Sequence, residues 1–299
     1  MPTAARAQDA LAEAVFTRRP RSFMYDAWRG LLRSRSAIAG GVVLALLILL
    51  AIIAPLISSY DPTAVALRTR LQPPSASHFF GTDEFGRDIL TRVFYGARIS
   101  LPVGLIALAI GVSLGTLVGL IAGFYGKAVD ALLMWMVDVL LAFPGLLLAL
   151  LVVAILGVDL RNVMIAVGVS MIPRFARLVR GTVLSAKENL YVDAARAIGV
   201  PERRILVRHV LPNVISPVIV LGTLSLGVTI LTAAGLSFVG LGAKPPSPEW
   251  GAMIAEGRQF LQRQWWIGTF PGVAILLTVL AVNLIGDGLR DALDPRMRV

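Results

Sequence analysis

The chain has 299 residues, 57% of them hydrophobic and 15% charged, with a formal net charge of +10. A soluble domain carries about 45–50% apolar and about 25% charged residues, so this composition excludes an ordinary soluble domain and points to a membrane protein. The lack of cysteine excludes disulfides and thiolate chemistry, and His78 and His209 lie too far apart in sequence to suggest a histidine-built metal site. The positive charge has a plainer source than nucleic acid, because Lys and Arg collect in the cytoplasmic loops of membrane proteins.

Residues 1–35 are polar and arginine-rich. They read as a cytoplasmic segment, because the apolar run that follows is too long for a signal-peptide core. Runs free of charge at 36–60, 99–126, 139–158, 210–243 and 264–286 are each long enough to cross a bilayer, for which a helix needs about 20 apolar residues. Pro212 and Pro217 set the helix start of the fourth of these at about residue 214. The run 162–173 is short, and it spans only if its helix continues past Arg174 and Arg177 with those side chains snorkelling to the interface. With this span included and both termini cytoplasmic, 19 of the 28 Lys and Arg residues fall inside and 9 outside. Dropping the span reverses the bias, so six spans fit the positive-inside rule best.

This gives an all-α membrane protein: a cytoplasmic segment 1–35, a first span 36–60, an extracytoplasmic segment 61–98, a transmembrane domain 99–290 containing a cytoplasmic loop 181–213, and a cytoplasmic tail 291–299. The outer segments open with prolines (Pro62, Pro73 and Pro74; Pro245, Pro246 and Pro248), and Trp250, Trp265 and Trp266 read as interfacial belt residues. In 81–92, Thr82 or Asp83 can cap a helix on which Asp83 and Arg87 stand four apart. That describes a plain surface helix, or a docking site for another protein through Asp83, Arg87 and Asp88. Asp138 is an intramembrane carboxylate, roughly 12–14 Å along the third span from its inner start and just ahead of a kink at Phe143-Pro144. It either caps freed backbone groups or pairs with a basic residue near the inner face, or it acts on a substrate or proton.

The most informative stretch is 191–213, YVDAARAIGVPERRILVRHVLPN. It reads as a first helix over about 185–198, a left-handed turn at Gly199, and a second helix opened by Pro201 and Glu202 and ended by Leu211-Pro212. Ala194, Ala195 and Gly199 put small side chains near the bend, where another backbone can approach. An amphipathic connector held on the membrane by anionic lipid remains an alternative. A DNA-reading helix-turn-helix is excluded, because flanking spans tether the hairpin too closely for a major groove.

Asp193-Ala194-Ala195, Gly199 separated by nine residues from His209, and the ending His209-Val210-Leu211-Pro212 resemble the EAA loop of ABC-importer permeases, in the dipeptide/oligopeptide/nickel branch. Asp193 stands where the broad pattern has Glu, so its carboxylate reaches less far. The stretches 78–92 (HFFGTDEFGRDILTR), 95–101 (YGARISL), 138–145 (DVLLAFPG) and 286–295 (GDGLRDALDP) are similar to the same branch, in order. The extra first span resembles the C-type subunit of peptide importers.

The resemblance implies an N-terminal span plus a five-helix type I importer permease core. It implies an ATP-driven importer of di- or oligopeptides, or of nickel chelates or another small solute, working by alternating access. The partners implied are a second permease subunit, as a heterodimer, two cytoplasmic ATPases and an extracytoplasmic substrate-binding protein, in the cytoplasmic membrane of a bacterium or archaeon. ATP and Mg2+ then belong to the ATPases, and this chain binds no cofactor and has no catalytic residue. The sequence agrees in lacking a G-x-x-x-x-G-K-[ST] phosphate loop; Gly126-Lys127-Ala128 lacks its spacing and its hydroxyl. The coupling loop would present Tyr191, Asp193, Ala194, Ala195, Gly199, Pro201, Glu202, Arg203, His209, Leu211 and Pro212. A self-contained secondary transporter or channel is the rival class. It often shows inverted repeats, and no internal repeat is evident here. A membrane-anchored scaffold or regulator is a third possibility.

Overall fold

The computed structural model describes residues 30–293; residues 1–29 and 294–299, and the parts of the N-terminal segment and tail they contain, lie outside the described residues. Every regular element among those described is helical. Helix α1 (Arg35–Ile57) is capped by Ser34, whose hydroxyl accepts from the Ala37 amide. Helix α2 (Ile89–Tyr125) follows, then α3 (Lys127–Leu141), α4 (Gly145–Leu156) and α5 (Leu160–Lys187). The hairpin is α6 (Leu190–Ala197) and α7 (Glu202–Ile205), a π-helical turn Leu206–Val210 leads into α8 (Leu211–Phe238), and α9 (Trp250–Gly257) and α10 (Trp266–Leu293) follow.

Among the described residues, five helices are long and apolar enough to cross a membrane: α1, α2, α5, α8 with its hairpin extension, and α10. The bent pair α3–α4 makes a sixth, with 92° between its halves. The bend falls at Ala142-Phe143-Pro144, where proline cannot continue the i→i−4 ladder. The short run 162–173 lies inside α5, a helix of 28 residues that does continue past Arg174, Arg177 and Arg180.

The best-packed interface joins α2 to α5, and its cause is a glycine stripe. A Cβ added at Gly111, Gly115 or Gly119 would meet α5 at 2.5 Å (Met171 Cβ), 2.6 Å (Phe175 Cβ) and 2.5 Å (Ala176 carbonyl). In a bilayer, where lipid is as apolar as leucine, close backbone approach of this kind drives association. Helix α1 packs on α10 by the same device, with Gly40 against Ala281 and Gly288 against Ala37. One end of the bundle thus gathers the start of α1, the α2–α3 turn, the hairpin and the end of α10. The other gathers 58–88, the α4–α5 turn and 239–265.

Three expectations are corrected. The first hairpin helix is not a single helix over 185–198: α5 runs through Lys187, the chain breaks at Asn189, and α6 starts at Leu190. Asn189 causes the break by turning its side-chain amide back onto the Ser185 and Ala186 carbonyls. Leu211-Pro212 does not end the second helix, and the fifth span does not wait until residue 214, because helix runs from Glu202 to Phe238. Pro212 is tolerated in the first turn of α8 because the preceding π turn widens the ladder where the ring would clash. The tryptophan belt is corrected too. Trp250 and Trp266 are buried, their indole N–H groups donating to the Val93 and Thr82 carbonyls; Trp265 alone of the three is exposed.

Candidate functional site

The hairpin is rooted in the bundle. Val192 and Ala195 of α6 and Ile205 of α7 are buried in one cluster with Phe175, Val179 and Val183 of α5 and Val214 and Val218 of α8. Gly199 makes the bend with φ of +78°, in the left-handed region. Its amide donates to the Arg196 carbonyl and that of Val200 to Ala195, closing the end of α6. An ion-pair chain crosses the bend: Arg196 lies 3.5 Å from Asp193 and 3.2 Å from Glu202. The shorter carboxylate of Asp193 thus has a partner within its own helix. Asn213, one turn into α8, donates to the Tyr191 hydroxyl (3.1 Å) and the His209 carbonyl (2.7 Å), tying the start of α6 to the root of α8.

The outward surface differs from the one expected. Ala195 is 6% exposed and packs inward, so the small-residue approach on that side is taken by the chain's own core. Leu190 and Ile198 point out instead, at 86% and 81% exposed. Tyr191, Asp193, Ala194, Gly199, Pro201, Glu202 and Arg203 share that exposed surface, whereas His209 and Leu211 are half-buried and Pro212 is exposed at the root of α8. Leu190 and Ile198 escape a reading by small residues. An amphipathic count over α6 alone, which pairs Val192 with Ala195 inward, finds them.

At the hairpin end two ion pairs bridge α3 and α5. Arg177 donates to Asp138 at 2.7 Å. Arg180 holds Asp130 with two bonds, Nε at 2.5 Å and Nη2 at 2.6 Å. Lys187 donates to the Gly123 carbonyl, clamping the end of α5 to that of α2. Asp138 therefore has a basic partner, and the Asp130–Arg180 clamp gives no local sequence signal because its members are fifty residues apart.

At the other end, 81–88 is a tight turn and not a helix, with a bridge between Thr82 and Asp88 and Gly86 at φ +77°. Neither Thr82 nor Asp83 caps a helix. Asp88 does, accepting from the Thr91 amide and hydroxyl at 2.8 Å while its other oxygen faces His78 Nδ1 at 2.9 Å. Asp83 accepts from Arg87 Nε (2.6 Å), and Arg87 and Arg92 both donate to Glu256 Oε2 of α9 at 2.8 and 3.0 Å. Burial pushes the Glu256 carboxyl above the usual glutamate range, against the pull of the Arg92 and Arg87 guanidiniums. Asp83, Arg87 and Asp88 are 3%, 2% and 5% exposed, so they are not a docking surface. Two carboxylates and two guanidiniums neutralise one another in a compact network that pins the turn to α9. Arg92, Glu249 and Glu256 belong to this end and are missed by local reading, since their partners are distant in sequence.

Comparison with known proteins decides the family. A family model described as the binding-protein-dependent transport system inner membrane component matches residues 115–299, more than half of the chain. The chain belongs to this family. A second model, the N-terminal TM domain of oligopeptide transport permease C, matches residues 22–74, which include α1. Among similar curated proteins, the dipeptide transport system permease protein DppC of Alkalihalophilus pseudofirmus is 49% identical over 273 residues, 91% of this chain and 90% of that one. The glutathione transport system permease proteins GsiD of Escherichia coli and Pectobacterium atrosepticum are 48% and 47% identical, over 92% and 91% of this chain and 91% and 90% of theirs. The protein is a multi-pass, all-helical membrane permease subunit of a binding-protein-dependent transport system.

Proposed function

We propose that this permease subunit serves an ATP-driven ABC importer carrying di- and oligopeptides inward by alternating access. The observation that carries this is the hairpin: an exposed apolar tip, Leu190 and Ile198, on a bend whose inner side is fused to the cores of α5 and α8. A tip fixed to the bundle at both ends transmits displacement to the helices as a rigid body. A lipid-lying connector needs no such root. The curated relatives carry the printed substrates dipeptide and glutathione, both peptides with free carboxylates, which favours peptide cargo over a nickel chelate.

In this reading the hairpin end is cytoplasmic and seats on one of two ATPase subunits, which bind ATP and Mg2+ and perform the hydrolysis. A second permease subunit completes the pathway as a heterodimer. Both termini are cytoplasmic, in the cytoplasmic membrane. The opposite end, capped by 58–88 and 239–265, receives an extracytoplasmic substrate-binding protein. Asp83, Arg87 and Asp88 set the shape of that cap, and the exposed Phe79 and Phe85 beside them supply contact area.

The test is ATP-dependent uptake of labelled dipeptide by the complex purified from native membranes and placed in liposomes with its binding protein. Uptake that needs ATP and the binding protein is expected. Uptake driven by an ion gradient, with this chain alone, would replace the reading with a secondary transporter.

A further inference from the structure

Charges exposed at membrane depth need an explanation that the hairpin does not provide. Helix α5 starts at Leu160, capped by Asp159, whose carboxylate accepts from the Arg161 amide. At 1.5 Å per residue, Arg174 lies about 21 Å and Arg177 about 26 Å along the helix from that end, inside a hydrocarbon core of about 30 Å. Yet the Arg177 and Asp138 side chains are each 58% exposed, and Arg174, one turn earlier on the same face, is exposed as well. Snorkelling can carry a long guanidinium near a helix end to the interface, but the short Asp138 side chain paired with Arg177 cannot follow it, and paired charges at such depth face bundle interiors or water and not lipid.

Two surroundings remain: a water-filled passage or a second subunit. The local chemistry favours water. Arg177–Asp138 borders a cleft of about 430 Å³ lined by Met134, Asp138, Arg177, Arg180 and Gly181, a volume within the range of small-molecule sites. Cores of protein interfaces are depleted in charge, whereas this strip carries three guanidiniums. Their pairing is unequal. Arg180 is saturated by the two-bonded Asp130, Arg177 has one bond to Asp138, and Arg174 has no carboxylate within 4.0 Å among the described residues. The strip therefore holds an uncompensated guanidinium, a group whose planar fork matches a carboxylate.

We infer that Arg174 and the Arg177–Asp138 pair line the inner half of the solute pathway, and that Arg174 takes the carboxylate end of the passing peptide. This rests on the peptide-importer reading above. Asp138 keeps the strip from binding anions too tightly to release, because a second carboxylate meets its charge.

The cysteine-free chain makes the test direct. Arg174→Cys and Arg177→Cys are introduced singly, with Leu46→Cys on the exposed apolar face of α1 as the lipid-facing control. The assembled complex in inside-out vesicles is treated with a membrane-impermeant thiol reagent, nucleotide-free and trapped with ATP and vanadate. Positions 174 and 177 should label at least about tenfold faster than position 46 in the nucleotide-free state, and more slowly when trapped. An added dipeptide should slow labelling at 177, and its C-terminal amide should slow it less. Arg174→Gln should raise the dipeptide concentration needed for this protection about tenfold, with Arg174→Lys restoring part of it. Absence of labelling in both states, beside normal ATP-driven uptake by the unmodified complex, would overturn the pathway assignment and leave the importer reading intact. Equal protection by acid and amide would overturn the carboxylate role. Lack of ATP-driven uptake by the unmodified complex would instead sink the reading on which the inference stands.

Discussion

The four-charge network at the end opposite the hairpin shows how much one residue can carry. Arg92 is 1% exposed and is the second guanidinium on Glu256. Replacing it with leucine leaves a buried carboxylate short of a partner, at a cost of about 3–5 kcal/mol. A markedly lower melting temperature of the solubilised complex checks this. The pH dependence has a definite sign. The folded chain holds the Glu256 proton to higher pH than the unfolded chain, so this residue's contribution is greatest below the ordinary glutamate value of 4.5. It falls as pH rises through the raised folded value and is flat above it. Glu256→Gln should remove that part of the pH–melting profile, and an unchanged slope would show the proton lies elsewhere. Gly199 is a residue-scale case with a different cause. A Cβ there meets nothing within 4 Å, so Gly199→Val fails by conformation and not by crowding. A strain of about 1–3 kcal/mol at φ +78° should impair uptake more than membrane insertion, measured by uptake per inserted subunit.

Among the elements, the hairpin and the glycine stripe are the parts on whose packing the proposed function depends. Leu190→Ser with Ile198→Ser should leave stability within about 0.5 kcal/mol, since both side chains are already in solvent. The same pair should weaken ATPase binding by about 2 kcal/mol or more if they are the anchors. Co-purification of the ATPase against an unchanged melting curve separates the two effects. Gly115→Leu should instead destroy the α2–α5 contact, because its first added carbon already stands 2.6 Å from Phe175 Cβ; loss of the folded subunit from the membrane reads this. These elements also show what the sequence made legible. The bend at Gly199, the break at Phe143-Pro144 and the continuation of α5 past its arginines follow from local rules, and all three are present. Burial was not legible. Asp83 and Arg87 were rightly placed four apart, but Glu256, which draws Arg87 inward, sits 169 residues away. Ala195 reads as an open small face until it is seen to be buried in one cluster with Val192, Ile205 and Val210.

For the molecule as a whole, composition and charge bias were enough to count spans, because a bilayer imposes length and polarity on every helix. They did not reveal that the second limb of the hairpin and the fifth span form one continuous helix from Glu202 to Phe238. On that continuity rests the proposal that the hairpin acts as a lever through which ATPase motion enters the permease. The most direct measurement places single cysteines at Ala194, on the exposed side of α6, and in the facing groove of the partner ATPase. The account predicts a crosslink whose yield differs clearly between nucleotide-free and ATP-trapped complexes, with transport lost once it forms. A crosslink indifferent to nucleotide, or none in a complex that still transports, would contradict it.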